Sequence, residues 1–278
     1  MATLIQFLEN ALEAKDPLLS NETKRIVLKE VLQAYMLEFL FSHHAYRSLN
    51  FYGGTCLHVI YSLNRLSEDI DLDNSQGVEL QELETDLLDY VKTQLGYQDI
   101  TIKQQESQEG ILRLTLRLAV LYTLGLSPNI DERLHLKLEI SQHRQTAVIV
   151  KTPVIFYGRS FVPAHFSEET MMAGKMLACL ERSFRVGEST TLIKGRDFYD
   201  LLWFMQQRIQ PLEEKLIKDG IQPYDVKSAM LALQDKIELI RPRDLSLDLL
   251  PLFEQRAFIE AWIDSFHENF NRFVRYYL

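Results

Sequence analysis

Two short segments of the sequence carry residue types that could bind a nucleotide and a metal ion. The first is the turn Gly53-Gly54-Thr55, and the second contains the carboxylates Asp69 and Asp71. A Gly-Gly-Thr turn between a strand and a helix lets bare N–H groups and the positive end of the helix approach a phosphate. Carboxylates two residues apart on a strand leave the same face, where both can hold Mg²⁺ that bridges triphosphate oxygens. The two segments together predict a site for nucleotidyl transfer.

Neither segment is specific by itself. A Gly-Gly-Thr sequence is most often an ordinary turn, and Asp-x-Asp is most often a solvated strand end. Their order and their spacing over one strand–helix–strand unit make the combination specific. Ile70 and Leu72 flank Asp71 and are expected to point the other way, into a core.

Four segments together resemble the AbiEii/AbiGii toxin family, which comprises nucleotidyltransferase-like toxins of type IV toxin–antitoxin and abortive-infection systems in the DNA polymerase β-like superfamily. The resemblance spans about residues 51 to 201 and is carried by Gly53-Gly54-Thr55-Cys56-Leu57, Arg65-Leu66-Ser67-Glu68-Asp69-Ile70-Asp71-Leu72, Ala173-Gly174-Lys175-Met176-Leu177-Ala178 and Lys194-Gly195-Arg196-Asp197-Phe198-Tyr199-Asp200-Leu201. It implies an enzyme that moves a nucleoside monophosphate from an NTP to an acceptor hydroxyl and releases pyrophosphate.

The resemblance also implies roles for individual residues. The implied catalytic residues are Asp69, Asp71, Lys175 and Asp197. The implied nucleotide-binding residues are Gly53, Gly54, Thr55, Arg65, Ser67, Lys175 and Arg196. The implied metal ligands are Asp69, Asp71 and Glu139, and the implied ion is Mg²⁺ or, in its place, Mn²⁺.

The segment around Asp197 has two interpretations. In the first, the Lys175 ammonium binds the β- or γ-phosphate, Arg196 pairs with the triphosphate, and Asp197 faces the nucleotide or accepts the proton of the incoming hydroxyl. In the second, residues 196–200 are an ordinary helix start whose acids favour the helix dipole. Asp200 is expected to hold a neighbouring helix terminus.

Glu139, Arg65 and Ser67 also have alternatives. Glu139 lies between apolar neighbours in residues 136–141 and either completes the metal site or pairs with Lys137. Arg65 contacts a phosphate or braces the acidic strand. The resemblance implies that the Ser67 hydroxyl helps to bind triphosphate, and that its phosphorylation would oppose nucleotide binding.

Three functions are compatible with these residues. The resemblance favours an RNA acceptor, with a tRNA 3′ end as the expected target, and growth arrest that a cognate antitoxin relieves. Nucleotidylation of a small molecule or a protein would use the same catalytic residues. A nucleotide-binding protein without turnover is the third, and the presence of Asp69, Asp71, Lys175 and Asp197 argues against it.

Composition indicates a globular protein of the cytoplasm without a membrane partner. The chain has 278 residues, of which 46% are hydrophobic, so it can bury a large core. It has no run of eighteen apolar residues and no secretory leader pattern. Its two cysteines cannot form a disulfide framework, and its seven histidines show no zinc-ligand spacing.

The formal net charge of −9 is concentrated in one segment. Residues 68–90 contain nine acids and no base, so the rest of the chain is formally neutral. A later segment carries the bases Arg182, Arg185, Lys194 and Arg196 against Glu188. This basic segment is either a contact for a nucleotide or an RNA backbone, or a solvated loop.

The hydrophobic pattern predicts an α+β fold, with a mixed-sheet domain over residues 1–160 followed by a helical domain over 161–278. The resemblance implies that the first is a polymerase-β-like nucleotidyltransferase domain. Helices are expected at about 2–15, 22–46, 78–95, 211–218, 223–237 and 254–276, and a helical pattern from 167 onward. Strands are expected at 49–52, at Asp69–Asp71, and at 98–104, 111–119, 134–141 and 147–156. Aromatic residues at helical spacing in 258–273 indicate a core stripe rather than a partner groove.

Overall fold

The computed structural model describes residues 3–107, 110–182, 184–186, 189–191 and 194–278, with 184–186 and 189–191 described by their backbone. The chain divides into two compact units. The first consists of Met1–Arg144 with Val150–His165, and the second consists of Gln145–Ile149 with Phe166–Leu278.

The first unit places its helices and strands in a mixed order along the chain. Its helices are α1 Leu4–Glu13, α2 Asn21–Ser42, α3 Gly53–Tyr61 and α4 Leu83–Asp89, the last continued by a π-helical turn, Tyr90–Gln94. Its strands are β1 Asn50–Tyr52, β2 Ile70–Asp73, β3 Ile100–Glu106, β4 Ile111–Leu118, β5 Leu134–Ser141, β6 Ile149–Lys151, β7 Val154–Phe156, β8 Arg159–Phe161 and β9 Ala164–Phe166. One residue of β6 and one of β9 belong to the second unit.

Seven of these strands form one mixed sheet in the order β3-β4-β5-β2-β1-β9-β6. β2 runs parallel to β5 and antiparallel to β1, while β4 is antiparallel to both β3 and β5. Alternate residues of β4 and β5 are buried leucines, whereas the residues between them are mostly polar. One face of the sheet therefore belongs to the core, and the other carries the polar side chains of β2, β5 and β4.

The second unit is mainly helical, as the sequence predicts. Its elements are α5 Glu168–Glu181, β10 Phe184–Val186, β11 Ser189–Thr191, α6 Gly195–Gln206, α7 Glu213–Asp219, α8 Val226–Ile237, α9 Pro242–Leu249 and α10 Arg256–Phe273. Phe266 and Phe270 of α10 are fully buried, and Phe266 packs with Phe198, Trp262 and Phe270, whereas Phe258 is 40% exposed. The middle of the aromatic stripe is therefore core.

Several predicted element bounds were wrong for local reasons. The helix expected from residue 78 begins at Leu83, because the Asn74 side chain bonds both the N–H and the C=O of Val78 and closes a loop there. The strand expected over 147–156 is broken before Val154, since Pro153 has no N–H for a ladder. The β7–β8 hairpin turns through Tyr157 and Gly158, both at positive φ, and neither it nor α9 was predicted.

Candidate active site

The glycine turn lies where β1 passes directly into the N-terminus of α3. Gly53 has φ +80°, and a Cβ there would lie 2.0 Å from Asp71 Oδ2. A Cβ on Gly54 would lie 2.7 Å from Arg65 Nη2 and 2.9 Å from Ser67 Oγ. Both positions require glycine, because the side chains of Asp71, Arg65 and Ser67 occupy the space beside the start of the helix.

Thr55 connects this turn to the strand that carries the carboxylates. Its buried hydroxyl donates to the backbone carbonyl of Asp69. The first N–H groups of a helix have no intrahelical acceptor and face an anion at its N-terminus. The hydroxyl of Thr55 thus connects α3 to β2 and already donates to a protein acceptor.

Asp71 lies on the polar side of β2, and Asp69 immediately precedes this strand. Ile70 and Leu72 are fully buried on the other side, and the Asp69 side chain is 27% exposed. Burial raises the pKa of Asp69, an effect that Lys137, with its Nζ 3.9 Å from Asp69 Oδ1, partly opposes. The two carboxylates therefore lie on the same side of the sheet, as their spacing predicts, and Asp71 lies beside the glycine turn.

Glu139 is the direct neighbour of Asp71 across the parallel β2–β5 ladder. Its Oε1 accepts from Arg113 Nε on β4 at 2.7 Å. The alternative in which Glu139 pairs with Lys137 was wrong, because the strand register places Glu139 opposite Arg113, and Lys137 Nζ lies near Asp69 instead. Arg113 was not singled out from the sequence, since its partner is set by strand register.

The carboxylates fit a metal that the nucleotide helps to hold. Across the described part of the chain, no group of three or more His, Cys, Asp or Glu side chains is arranged to hold a metal ion. Mg²⁺ in phosphoryl-transfer sites takes one or two carboxylates and completes its shell with substrate phosphates and water. Asp69 and Asp71 meet that requirement. Because Glu139 accepts from Arg113 through Oε1, a metal contact from Glu139 would use its other oxygen.

Arg65 and Ser67 hold the loop that leads into β2. Arg65 is 2% exposed and donates from Nη1 to the carbonyl of Leu66 at 3.0 Å. The carbonyl of Ser67 accepts from Gln33 Nε2 of α2 at 3.0 Å. Both side chains face Gly54, so they place a guanidinium and a hydroxyl beside the N-terminus of α3.

Lys175 and Asp197 meet in the second unit. Lys175 Nζ of α5 donates to Asp197 Oδ1 at 2.8 Å and lies 2.7 Å from Asp200 Oδ2, both on α6. Arg182 Nη1 lies 3.2 Å from Asp197 Oδ2. Asp200 is fully buried and pairs with this lysine, and its expected contact with a helix terminus stays a prediction. Asp200 lies three residues after Asp197, so both side chains share one helix face, and this spacing could have predicted that Asp200 shares the lysine.

The charge state of Asp197 follows from these neighbours. Burial alone would raise the pKa of this carboxyl, but the charges of Lys175 and Arg182 and the hydrogen bond from Lys175 outweigh it and hold the pKa well below its usual range. Asp197 is therefore a firmly ionised group at neutral pH.

Arg196 and Gly195 begin α6 against α9. A Cβ on Gly195 would lie 3.1 Å from the carbonyl oxygen of Leu245, and the Arg196 N–H donates to Asp248 Oδ2 at 2.9 Å. Burial, followed by the charge of Arg196, lowers the pKa of Lys194. Within the basic segment, the Arg185 side chain lies outside the described residues, so the predicted contact with a nucleotide or RNA stays a prediction.

The mixed sheet with a glycine turn and paired carboxylates defines the class of nucleotidyltransferases. In a comparison of structures, the chain is similar to a crystal structure of a proposed nucleotidyltransferase from H. pylori, with a TM-score of 0.51 and 20% sequence identity over 89% of this chain and 93% of that chain. At that identity the likeness shows the fold, and it confirms the predicted fold class. None of the described helices is both long and apolar enough to cross a membrane.

The family follows from the sequence itself. The family model described as nucleotidyl transferase AbiEii toxin, type IV TA system, matches residues 38–277, so the chain belongs to that family. It is a nucleotidyltransferase, and its family implies an NTP substrate and an antitoxin partner. No curated protein sequence matches the chain significantly.

Proposed function

We propose that the protein transfers a nucleoside monophosphate from an NTP to a hydroxyl of RNA, with a tRNA 3′ end as the acceptor, and that it needs Mg²⁺. The observation that supports this most is the contact of Asp71 with Gly53. It brings a metal-binding carboxylate to the helix N-terminus that suits a triphosphate, so both parts of an Mg²⁺–NTP complex have partners in one place.

In the proposed reaction, the acceptor oxygen forms a bond to the α-phosphorus as the bond to the bridging oxygen of the β-phosphate breaks. The acceptor hydroxyl gives its proton to water, and pyrophosphate leaves with the electron pair. Mg²⁺, when bound, would neutralise charge on the phosphate oxygens. The chain supplies position, since Asp69 and Asp71 hold that ion and the turn at Gly53 and Gly54 holds the phosphates.

The predicted triphosphate contacts of Arg65 and Ser67 gain support from their position beside Gly54. Arg65 also braces the loop, so the two alternatives for this residue are compatible. A guanidinium and a hydroxyl at the N-terminus of α3 add donors for phosphate oxygens to the backbone N–H groups. A phosphate on Ser67 would put negative charge in that space and oppose NTP binding.

Lys175 and Arg196 keep their proposed roles in phosphate binding on the strength of the family resemblance, whereas the role of Asp197 changes. The depressed pKa of Asp197 makes it a weak proton acceptor, since an effective general base has a pKa near the working pH. Its contact with Lys175 supports a different role. We propose that Asp197 orients the Lys175 ammonium and that Lys175 touches the phosphates.

The test uses purified protein, each of the four NTPs labelled at the α-phosphate, total tRNA, and Mg²⁺ or EDTA. The proposal expects label on tRNA with Mg²⁺ and none with EDTA. Periodate treatment, which destroys the 3′-terminal diol of the tRNA, should abolish labelling. Label on periodate-treated tRNA would show that the acceptor hydroxyl is not at the 3′ end. Label only on protein or a small molecule would show that RNA is not the acceptor.

The biological consequence is proposed on the same basis. Membership of a type IV toxin family supports growth arrest through the modified RNA and relief by an antitoxin. Expression of the wild-type chain should arrest growth, whereas expression of Asp71→Asn at the same level should not. Equal growth arrest by both proteins would show that toxicity does not depend on nucleotidyl transfer.

A further inference from the structure

The polar face of the sheet continues beyond Asp71 as a group of basic side chains on β5, β4 and β3. We call this group the basic strand face, and it consists of Lys103, Arg113, Arg117 and Lys137. The ladder register places Arg113 beside Glu139, and Lys103 and Lys137 on either side of Thr115. The residues between them, such as Leu114, Leu116 and Leu138, are buried. All four bases therefore point away from the core.

The basic strand face is open and has an excess of positive charge. The side chains of Arg113 and Lys137 are 43% and 45% exposed, Lys103 is exposed, and Arg117 is half-buried. Among the described outward-facing residues of β3, β4 and β5, four bases stand against one acid, Glu139. The chain as a whole has a formal charge of −9, so this concentration of bases runs against the overall composition.

The strand order places this face on one side of the carboxylates and the glycine turn on the other. β2 lies between β1, which leads into the turn at Gly53, and β5, which begins the basic strands. In an in-line displacement, the attacking oxygen and the leaving pyrophosphate occupy opposite sides of the α-phosphorus. With the triphosphate at the turn, the acceptor approaches from the side of β5, β4 and β3.

We propose that the basic strand face binds the phosphodiester backbone of the acceptor RNA and leads its reactive end to Asp69 and Asp71. This inference rests on the proposed function. From β2 to β3 the face extends about 14 Å at the usual strand spacing, which corresponds to roughly four nucleotides of a stacked strand. Basic side chains that contact phosphates position a nucleic acid without reading its sequence. The face therefore selects for a polyanion and not for a particular nucleobase.

The experiment removes two of these charges at a distance from the carboxylates. The double variant Lys103→Gln/Arg117→Gln changes side chains on β3 and β4, neither of which contacts the glycine turn. The matched control, Lys227→Gln/Arg243→Gln, removes the same charge from exposed positions of α8 and α9 in the second unit. The readouts are kcat and KM for tRNA, KM for the NTP, and the salt dependence of tRNA binding by fluorescence anisotropy. Thermal denaturation checks that both variants are folded.

The basic-face variant should raise KM for tRNA roughly tenfold and lower the slope of log K against log salt by roughly one for each lost phosphate contact. Its KM for the NTP should not change, and the control should match the wild type in every readout. If the wild type labels tRNA and the basic-face variant has a wild-type KM and salt slope, the inference is wrong and the proposed function stands. If the wild type labels only protein or a small molecule, the RNA acceptor and this inference both fail.

Discussion

The carboxylate of Asp71 lies against Gly53, so close that a methyl group on the glycine would be 2.0 Å from Oδ2. In the proposed function, one residue begins the helix that would face a phosphate, and the other lies on the strand that would offer the metal ligand. Any side chain at position 53 must displace the carboxylate. The contact would therefore couple phosphate binding to metal binding.

Gly53→Ala should abolish transfer, because the new Cβ displaces Asp71 and also sits at positive φ. The matched control is Gly77→Ala, since Gly77 has φ +68° and its Cβ would meet nothing within 4 Å. Backbone strain should lower the free energy of unfolding of each variant by about 1–2 kcal/mol, with a larger loss for Gly53→Ala. Transfer assays and urea denaturation compare the two. Equal activity in both variants would show that the Asp71 contact is dispensable.

Removal of either partner of the Lys175–Asp197 pair should cost stability. Lys175→Met leaves Asp197 and the fully buried Asp200 without their shared ammonium, and loss of one partner of a buried ion pair typically costs about 3–5 kcal/mol. The exposed pair of Lys218 and Glu214 provides the comparison, where Lys218→Met should cost less than about 1 kcal/mol. Equal small losses in denaturant unfolding would contradict the contacts described for Lys175.

Stability should depend on pH through Asp197. Its pKa in the folded chain lies below the ordinary value, so its contribution is present above the unfolded-state pKa of about 3.9 and is lost as pH falls through the folded pKa. The gap in unfolding free energy between the wild type and Asp197→Asn should therefore be constant near neutral pH and shrink below about pH 4. Denaturation curves from pH 7 to pH 3 measure it, and a gap that widens on acidification would reverse the sign assigned here.

Glu139 can be tested as a metal ligand separately from its bond to Arg113. If it joins Asp69 and Asp71, Glu139→Gln should raise the Mg²⁺ concentration for half-maximal transfer at saturating NTP and tRNA. Arg113→Gln should not raise that concentration, because a guanidinium offers no oxygen to the metal and its removal takes a positive charge away from Glu139. An equal shift in both variants would assign Glu139 to the positioning of Arg113 instead.

The local parts of the site could be predicted from the sequence, and the long-range contacts could not. The turn at Gly53 and the alternation around Asp71 depend on neighbouring residues, so their geometry follows from spacing. The bond between Glu139 and Arg113 depends on the register of β4 and β5, and the contact of Lys175 with Asp197 joins residues on two helices. Both require knowledge of how distant segments pack.

The fold could likewise be predicted only in part from the sequence. The mixed sheet and the helical half were predictable from hydrophobic periodicity, but the β7–β8 hairpin was not, because its turn places Tyr157 at positive φ without the usual Asn-Gly signal. The start of α4 was also missed, since the side-chain bonds of Asn74 to Val78 override a helical pattern of charges and leucines.

Labels at the two ends of the triphosphate show whether the protein transfers a nucleotidyl group and whether the transfer depends on Asp71. Wild-type protein and Asp71→Asn are each incubated with tRNA, Mg²⁺ and an NTP labelled at either the α- or the γ-phosphate, and the products are separated on a denaturing gel and by thin-layer chromatography. We expect the wild type to transfer the α-label to tRNA and to release the γ-label as pyrophosphate, and we expect Asp71→Asn to do neither. Transfer of the γ-label to tRNA, or full activity in Asp71→Asn, would contradict this expectation.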